Sequence, residues 1–217
     1  MSYTLSEHES KRLLADAGLP VPEERLAADA AAAARAADAL GYPVALKLCG
    51  RGIAHKTERG LVRLGLADPE AVRREAEDLL GLRRAGEESA QVLVGRMAGG
   101  SRELIAGLVR DPQFGPCVML GLGGIFAEAL GDVAFALAPL DPPDAEDLIG
   151  ALQHAHLLDA FRGEPPVDRA ALARLLVALG EVAAARPEIR SIDLNPLRIV
   201  DARPVVLDAL VELEDGA

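Results

Sequence analysis

Tryptophan is absent from this 217-residue chain, tyrosine occurs twice and phenylalanine four times. So few rings leave little to stack on bases. The 34 acidic residues against 23 Lys and Arg give a net charge of −11, the wrong sign for gripping a phosphate backbone. Nucleic acid is therefore not an expected partner. Every apolar run falls short of the ~18 residues a membrane span needs. The N-terminal MSYTLSEHESKRLL is polar where a signal peptide would be apolar. Two cysteines, Cys49 and Cys117, are too few for a disulfide framework and lack CxxC spacing for zinc. A cytoplasmic protein with no membrane partner is expected. Lysine is scarce too. Against many arginines stand only Lys11, Lys47 and Lys56, and the last two flank one glycine-bearing loop. An acidic chain that binds an anion must concentrate positive charge locally, as here.

With half its residues hydrophobic and a quarter charged, the chain has a globular composition. Ser6-Glu7-His8-Glu9 has capping-box spacing and opens a helix that Gly18 stops. Asp29 caps an alanine-rich helix ending at Gly41, Asp68-Pro69 opens one to about Ala85, Asp141-Pro142 another, and Asp168 a long one to about Ala185. Strands are expected over 43–48, 61–67, 91–97, 102–109, 116–120, 189–194, 197–200 and 205–208. Residues 125–138 read as a hairpin around Gly131-Asp132, with a helical first turn at Gly124 as the alternative. Helices and strands alternate without a βαβ rhythm or an internal repeat. That pattern gives an α+β class in two lobes, with a boundary near 97–101.

Several groups have the chemistry for a site. His55 lies in the loop Cys49–Gly60 with Gly50, Gly52 and Gly60. Neutral imidazole is a nucleophile toward phosphorus, and glycines let a loop approach a ligand and move; a solvated surface histidine is the alternative. Lys47 sits mid-strand between apolar neighbours and needs either a nucleotide phosphate or a carboxylate as partner. Asp193 and Asn195, two apart, share one face of a strand, and with Asp208 across a hairpin they form a hard-oxygen set suited to Mg²⁺. The same D-x-N-P also reads as a turn. Gly121-Leu-Gly123-Gly124 is either a tight bend or an anion cradle; it lacks the P-loop pattern. Glu103, opening an apolar strand, is a further candidate ligand. His154 and His156 are too close in sequence for the i,i+4 metal pair of a helix and receive no role.

Taken in order, LSEHESKRLLADAGLPVP (5–22), GYPVALKL (41–48), AHKTERGLV (54–62), RELIAGLVRDPQFGPCVMLGLGGIFAEALGDVAFALAPL (102–140), DLNPL (193–197) and VVLDA (205–209) resemble the β subunit of the ADP-forming (NDP-forming) acyl-CoA synthetases, relatives of succinyl-CoA synthetase. The resemblance implies an ATP-grasp fold over residues 1–217, two lobes holding the nucleotide between them. The lobes would be 20–97, carrying the histidine loop, and 98–217, carrying the metal, with 1–19 packed on the second. It implies ATP/ADP and Mg²⁺ as cofactors. Nucleotide contacts would come from Lys47, from the adenine-side strand with Val94, Arg96 and Met97, and from Glu103. The metal would be held by Asp193, Asn195 and Asp208. Gly121, Gly123 and Gly124 would face a partner's phosphohistidine, and His55 would carry the phosphoryl group to Mg·ADP. An acid–thiol ligase of this kind needs a separate α subunit with CoA-binding and ligase domains, in a hetero-oligomer. A catalytically idle nucleotide-binding regulatory or scaffold subunit is the alternative. Departures from the family pattern are Glu58 for Asp, Leu61 for a second glycine, Ser191 for Glu and Leu210 for Arg.

Overall fold

A computed structural model describes residues 2–53, 55–124, 131–160 and 163–214. In chain order the first elements are β1 (Ser2–Thr4), α1 (Glu7–Asp16), β2 (Glu24–Ala27), α2 (Ala30–Leu40), β3 (Val44–Cys49), β4 (Val62–Leu66), α3 (Pro69–Gly81) and β5 (Gln91–Arg96). There follow β6 (Glu103–Asp111), β7 (Gly115–Leu122), β8 (Val133–Leu137), α4 (Pro142–Gly150), α5 (Arg169–Ala185), β9 (Ile189–Val200), β10 (Arg203–Val206) and β11 (Ala209–Glu214). Two compact units emerge, one of Met1–Tyr3, Ser10–Val21 and Gly99–Ala217, the other of Thr4–Glu9 and Pro22–Ala98. Among the described residues no helix is long and apolar enough to cross a membrane.

In the unit holding 22–98, four antiparallel strands run in the order β2-β5-β3-β4. Val44 and Leu46 of β3 and Val92 and Val94 of β5 turn one face toward α2 and α3. There they pack with Ala33, Ala34, Ala37, Val72, Ala76 and Leu79. Alanines on α2 let that helix lie close to the sheet. The period of two sends Lys47 and its register partner Leu93 to the opposite face. Asp29 and Asp68 cap α2 and α3 through their side chains. Helix α3 stops at Gly81 rather than 85, because Glu87 accepts the Arg84 N–H at 3.0 Å and bends the chain into a turn.

In the other unit, the described strands form a seven-stranded sheet ordered β1-β11-β9-β6-β7-β8, with β10 also paired to β9. Ala106 and Leu108 of β6, Val118 and Leu120 of β7 and Ile192 and Leu194 of β9 are cross-strand neighbours on a buried face. Helix α5 packs on β6, β7 and β10, and α4 packs on α5. Alternate residues Gly107, Met119 and Asp193 then occupy the other face.

The strands expected over 189–194 and 197–200 are one element, β9. Pro196 is tolerated inside it because Asn195 and Pro196 together oppose Ile105: the β6 register shifts between Leu104↔Leu197 and Ala106↔Leu194. Such a bulge leaves a residue without ladder bonds, the place where proline does least harm. There β9 also exchanges β11 for β10 as its partner on the edge away from β6. Strands β1, β2 and β11 carry no strong sequence signal and were not expected. In the 125–138 hairpin, residues 125–130 lie outside the described residues; 133–137 form β8, paired with β7.

Candidate functional site

Helix α1 begins in a reciprocal capping box: the Ser6 N–H donates to Glu9 at 2.9 Å and the Glu9 N–H to Ser6 Oγ at 3.3 Å. The cap fixes the first turn, and Glu7 in that turn is buried with 2% of its side chain exposed. One of its oxygens lies 2.5 Å from Lys47 Nζ and the other 3.0 Å from Lys56 Nζ. The strand lysine thus has a carboxylate partner, one of the two that its half-buried position called for. One carboxylate thus bridges two ammonium groups. Glu9 grips Arg51 through Nη2 at 2.7 Å and Nε at 3.1 Å, and this guanidinium holds the Glu9 carboxyl well down, at about 2.

Between Arg51 and Lys56 stands His55, whose side chain is 75% exposed. Its Nδ1 is 3.7 Å from Glu58 Oε1, and its backbone is left-handed at φ +53°. The loop's base is fastened while the ring stands exposed to solvent. Ile53 and Leu61 are buried with Leu48 and Ala90, and Arg59 pairs with Glu87 at 2.8 Å. Leu61, a departure from the family's glycine pair, therefore serves as an apolar anchor. Burial pushes the Cys49 thiol up, and both cysteines are buried and free, as small hydrophobes.

The oxygen set sits on the other unit. Asp193 and Asn195 are exposed on β9, at and just before the bulge. The β9–β11 register pairs Leu210 with Asp193 and Ala209 with Leu194; continued by one residue, it sets Asp208 opposite Asn195. Asp193 titrates above the ordinary carboxylate range. Partial desolvation by the surrounding protein is the larger cause, the negative charge of Asp208 the second. Two carboxylates that repel, with an amide oxygen beside them, are a donor set that Mg²⁺ fits. That ion takes one or two carboxylates and fills its octahedron with water and substrate phosphate. Among the described residues no group of three or more His, Cys, Asp and Glu is placed to hold a metal ion. Lys11, 2% exposed, donates to the Leu207 carbonyl at 2.5 Å, and Ser10 Oγ accepts the Val211 N–H at 3.1 Å. These bonds fix the segment around Asp208.

Other candidate residues have structural duties. Val94 is fully buried in the helix-facing core, so its side chain cannot touch a nucleotide. The Met97 N–H is donated to the Pro43 carbonyl at 2.9 Å; Arg96 is exposed. The Glu103 carboxylate pairs with Arg198, and its carbonyl takes the Gly123 N–H at 2.8 Å, so Gly123 has no N–H to spare for an anion. A Cβ on Gly121 would lie 2.7 Å from Val133, and one on Gly123 2.9 Å from the Glu103 backbone. Close strand packing thus demands both glycines, while Gly124 has φ +76°. His154 pairs with buried Asp132 at 3.0 Å. Glu7 and Lys11 were not foreseen as site residues. The signal was present in the lysines: all three are tied to buried or half-buried partners.

A family profile described as an ATP-grasp domain matches residues 1–213. The ADP-forming acetate–CoA ligase I subunit beta of Pyrococcus furiosus is 38% identical over 208 residues, 94% of this chain and 90% of that one. The ADP-forming 4-hydroxybutyrate–CoA ligase of Nitrosopumilus maritimus is 35% identical over 91% of this chain, which spans only 29% of that longer protein. Among solved structures, acetyl-coenzyme A synthetase 1 of Ca. Korarchaeum cryptofilum is similar in two complexes. With coenzyme A and Ca-AMPCP the TM-score is 0.91 at 37% identity, covering 98% of this chain and 94% of that one. With coenzyme A and Mg-AMPPCP, its phosphohistidine segment pointing towards the nucleotide binding site, the TM-score is 0.84 at 37% identity over 96% and 92%. By profile, fold and sequence, the chain belongs to the ATP-grasp family, alongside the β subunits of ADP-forming acetate–CoA ligases.

Proposed function

We propose that the protein is the nucleotide-binding β subunit of an ADP-forming acyl-CoA synthetase. It passes a phosphoryl group between a companion α chain and bound ADP, in the overall reaction acyl-CoA + ADP + phosphate = acid + ATP + CoA. The observation that carries this reading is His55: an exposed imidazole on a loop whose two ends are clamped. A carrier between separate centres needs that combination of reach and a fixed base.

In this scheme Nδ1 faces Glu58, which favours the proton on that nitrogen and leaves the Nε2 lone pair as the nucleophile. Nε2 bonds to phosphorus as the bond from phosphorus to the companion's histidine breaks. In the second step a β-phosphate oxygen of ADP takes the phosphoryl group and the Nε2–P bond breaks, returning neutral imidazole. Lys47 neutralises phosphate charge, which is most of what such a transfer asks of a protein. Asp193, Asn195 and Asp208 would hold Mg²⁺, which when bound offsets negative charge on the phosphate oxygens. In the 4-hydroxybutyrate–CoA ligase the matching region is 29% of a longer polypeptide; in this scheme the acyl- and CoA-handling groups are supplied by the companion.

The test is phosphorylation of His55. Mixed with the companion chain and Mg·ATP, the protein should acquire an acid-labile phosphate on a peptide containing His55, and His55→Asn should abolish both the label and acyl-CoA-dependent ATP formation. Equal ATP formation by His55→Asn would exclude the carrier role. Nucleotide binding without any label, with the companion present, would favour an idle regulatory subunit.

A further inference from the structure

Glu7, in the first turn of α1, was given no chemical role above, yet it is the carboxylate that meets both the strand lysine and the loop lysine. Its side chain is 2% exposed, Lys47 16% and Lys56 12%, so the three charges interact with little solvent screening. The Cys49 thiol feels both Glu7 and Lys56, which places the cluster against β3, on the face away from α2 and α3. The loop is thereby tied to the start of α1 twice, by Glu9 to Arg51 and by Glu7 to Lys56, on either side of His55. Lys47, the residue that would meet the nucleotide's phosphates, shares the carboxylate that anchors the carrier.

We propose that Glu7 is a positioning residue for phosphoryl transfer, which holds the His55 loop through Lys56 and at the same time competes with nucleotide phosphate for Lys47. The inference rests on the proposed role of His55 and Lys47. It gives Glu7 two opposed effects. Its charge weakens the pull of Lys47 on an arriving anion, and its anchoring keeps the loop in the geometry from which His55 transfers. An arriving phosphate would take over part of the Lys47 charge and leave Glu7 more fully to Lys56, tightening the loop's anchorage when nucleotide is bound.

Glu7→Gln keeps the shape and removes the charge. With the companion chain present, it should slow His55 phosphorylation by about tenfold while ADP, measured by calorimetry on the β chain, binds about threefold tighter. A purely structural role would weaken both. Glu7→Asp restores the charge and should bring ADP affinity back toward wild type. Lys56→Met leaves Glu7 to Lys47 alone; it should slow phosphorylation by a similar factor, with ADP binding weaker than wild type, the opposite direction from Glu7→Gln. Loss of rate and affinity in proportion in Glu7→Gln, or wild-type rates, would overturn the proposal. Should Glu7→Gln not fold, Lys56→Met decides, and an unaltered phosphorylation rate there overturns it as well. Failure of the wild-type protein to form phosphohistidine would instead sink the underlying reading of His55, a distinguishable result.

Discussion

Asp193 is raised above the usual carboxylate range, so at neutral pH its charge opposes folding. The sign follows from linkage: the native state binds the proton more tightly than the unfolded chain, so this contribution falls as pH rises through the native pKa. Asp193→Asn should therefore stabilise the ligand-free chain at neutral pH by roughly 0.5 kcal/mol, a figure discounted for an exposed side chain. The same change should reduce Mg²⁺-dependent ADP binding by an order of magnitude. Thermal unfolding and calorimetry read the two effects on one variant, and unchanged Mg²⁺ dependence would move the cation elsewhere. Glu9 has the opposite sign. Its pKa is depressed by Arg51, so its contribution is complete above 4.5 and disappears as pH falls toward about 2. The stability difference between wild type and Arg51→Ala should narrow across that window, followed by urea midpoints against pH.

At the scale of elements, four aspartates in the sequence announced four helices, because a side-chain oxygen at the N-cap is a local signal. Asp29, Asp68, Asp141 and Asp168 each accept a backbone N–H of their helix. Removing the cap, as in Asp68→Ala, should cost about 1 kcal/mol. Edge strands were illegible for the converse reason. Glu24–Ala27 has Arg25 and Leu26 in the open, with no run of buried residues to betray it. The continuity of β9 through Pro196 was hidden as well, since a bulge depends on the strand alongside. The site divides along the same line. Asp193, Asn195 and Asp208 were readable because hairpin register is local. Glu7 was not, because it meets Lys47 across forty residues of sequence. Gly107 belongs with these unseen constraints. It faces Asp193 in register, and a Cβ there would sit 2.5 Å from the Ile192 carbonyl oxygen. Gly107→Ala should destabilise by roughly 2 kcal/mol through forced backbone displacement, and the unfolding midpoint checks it.

For the molecule as a whole, an acidic surface and three lysines, all engaged, fit a protein that attracts anions at a few places only. Under the proposed function, Lys47 would neutralise phosphate, Asp193, Asn195 and Asp208 would hold a cation, and the exposed imidazole of His55 would carry the phosphoryl group, together serving the nucleotide half of the reaction. Acyl specificity would lie with the companion. The most direct measurement is peptide mass spectrometry on the β chain after brief exposure to the companion, acyl-CoA and phosphate without ADP. The expected result is a phosphate on His55 that is discharged to ATP when Mg·ADP is added. A β chain that stays unmodified while ATP is still made on addition of Mg·ADP would contradict the carrier role.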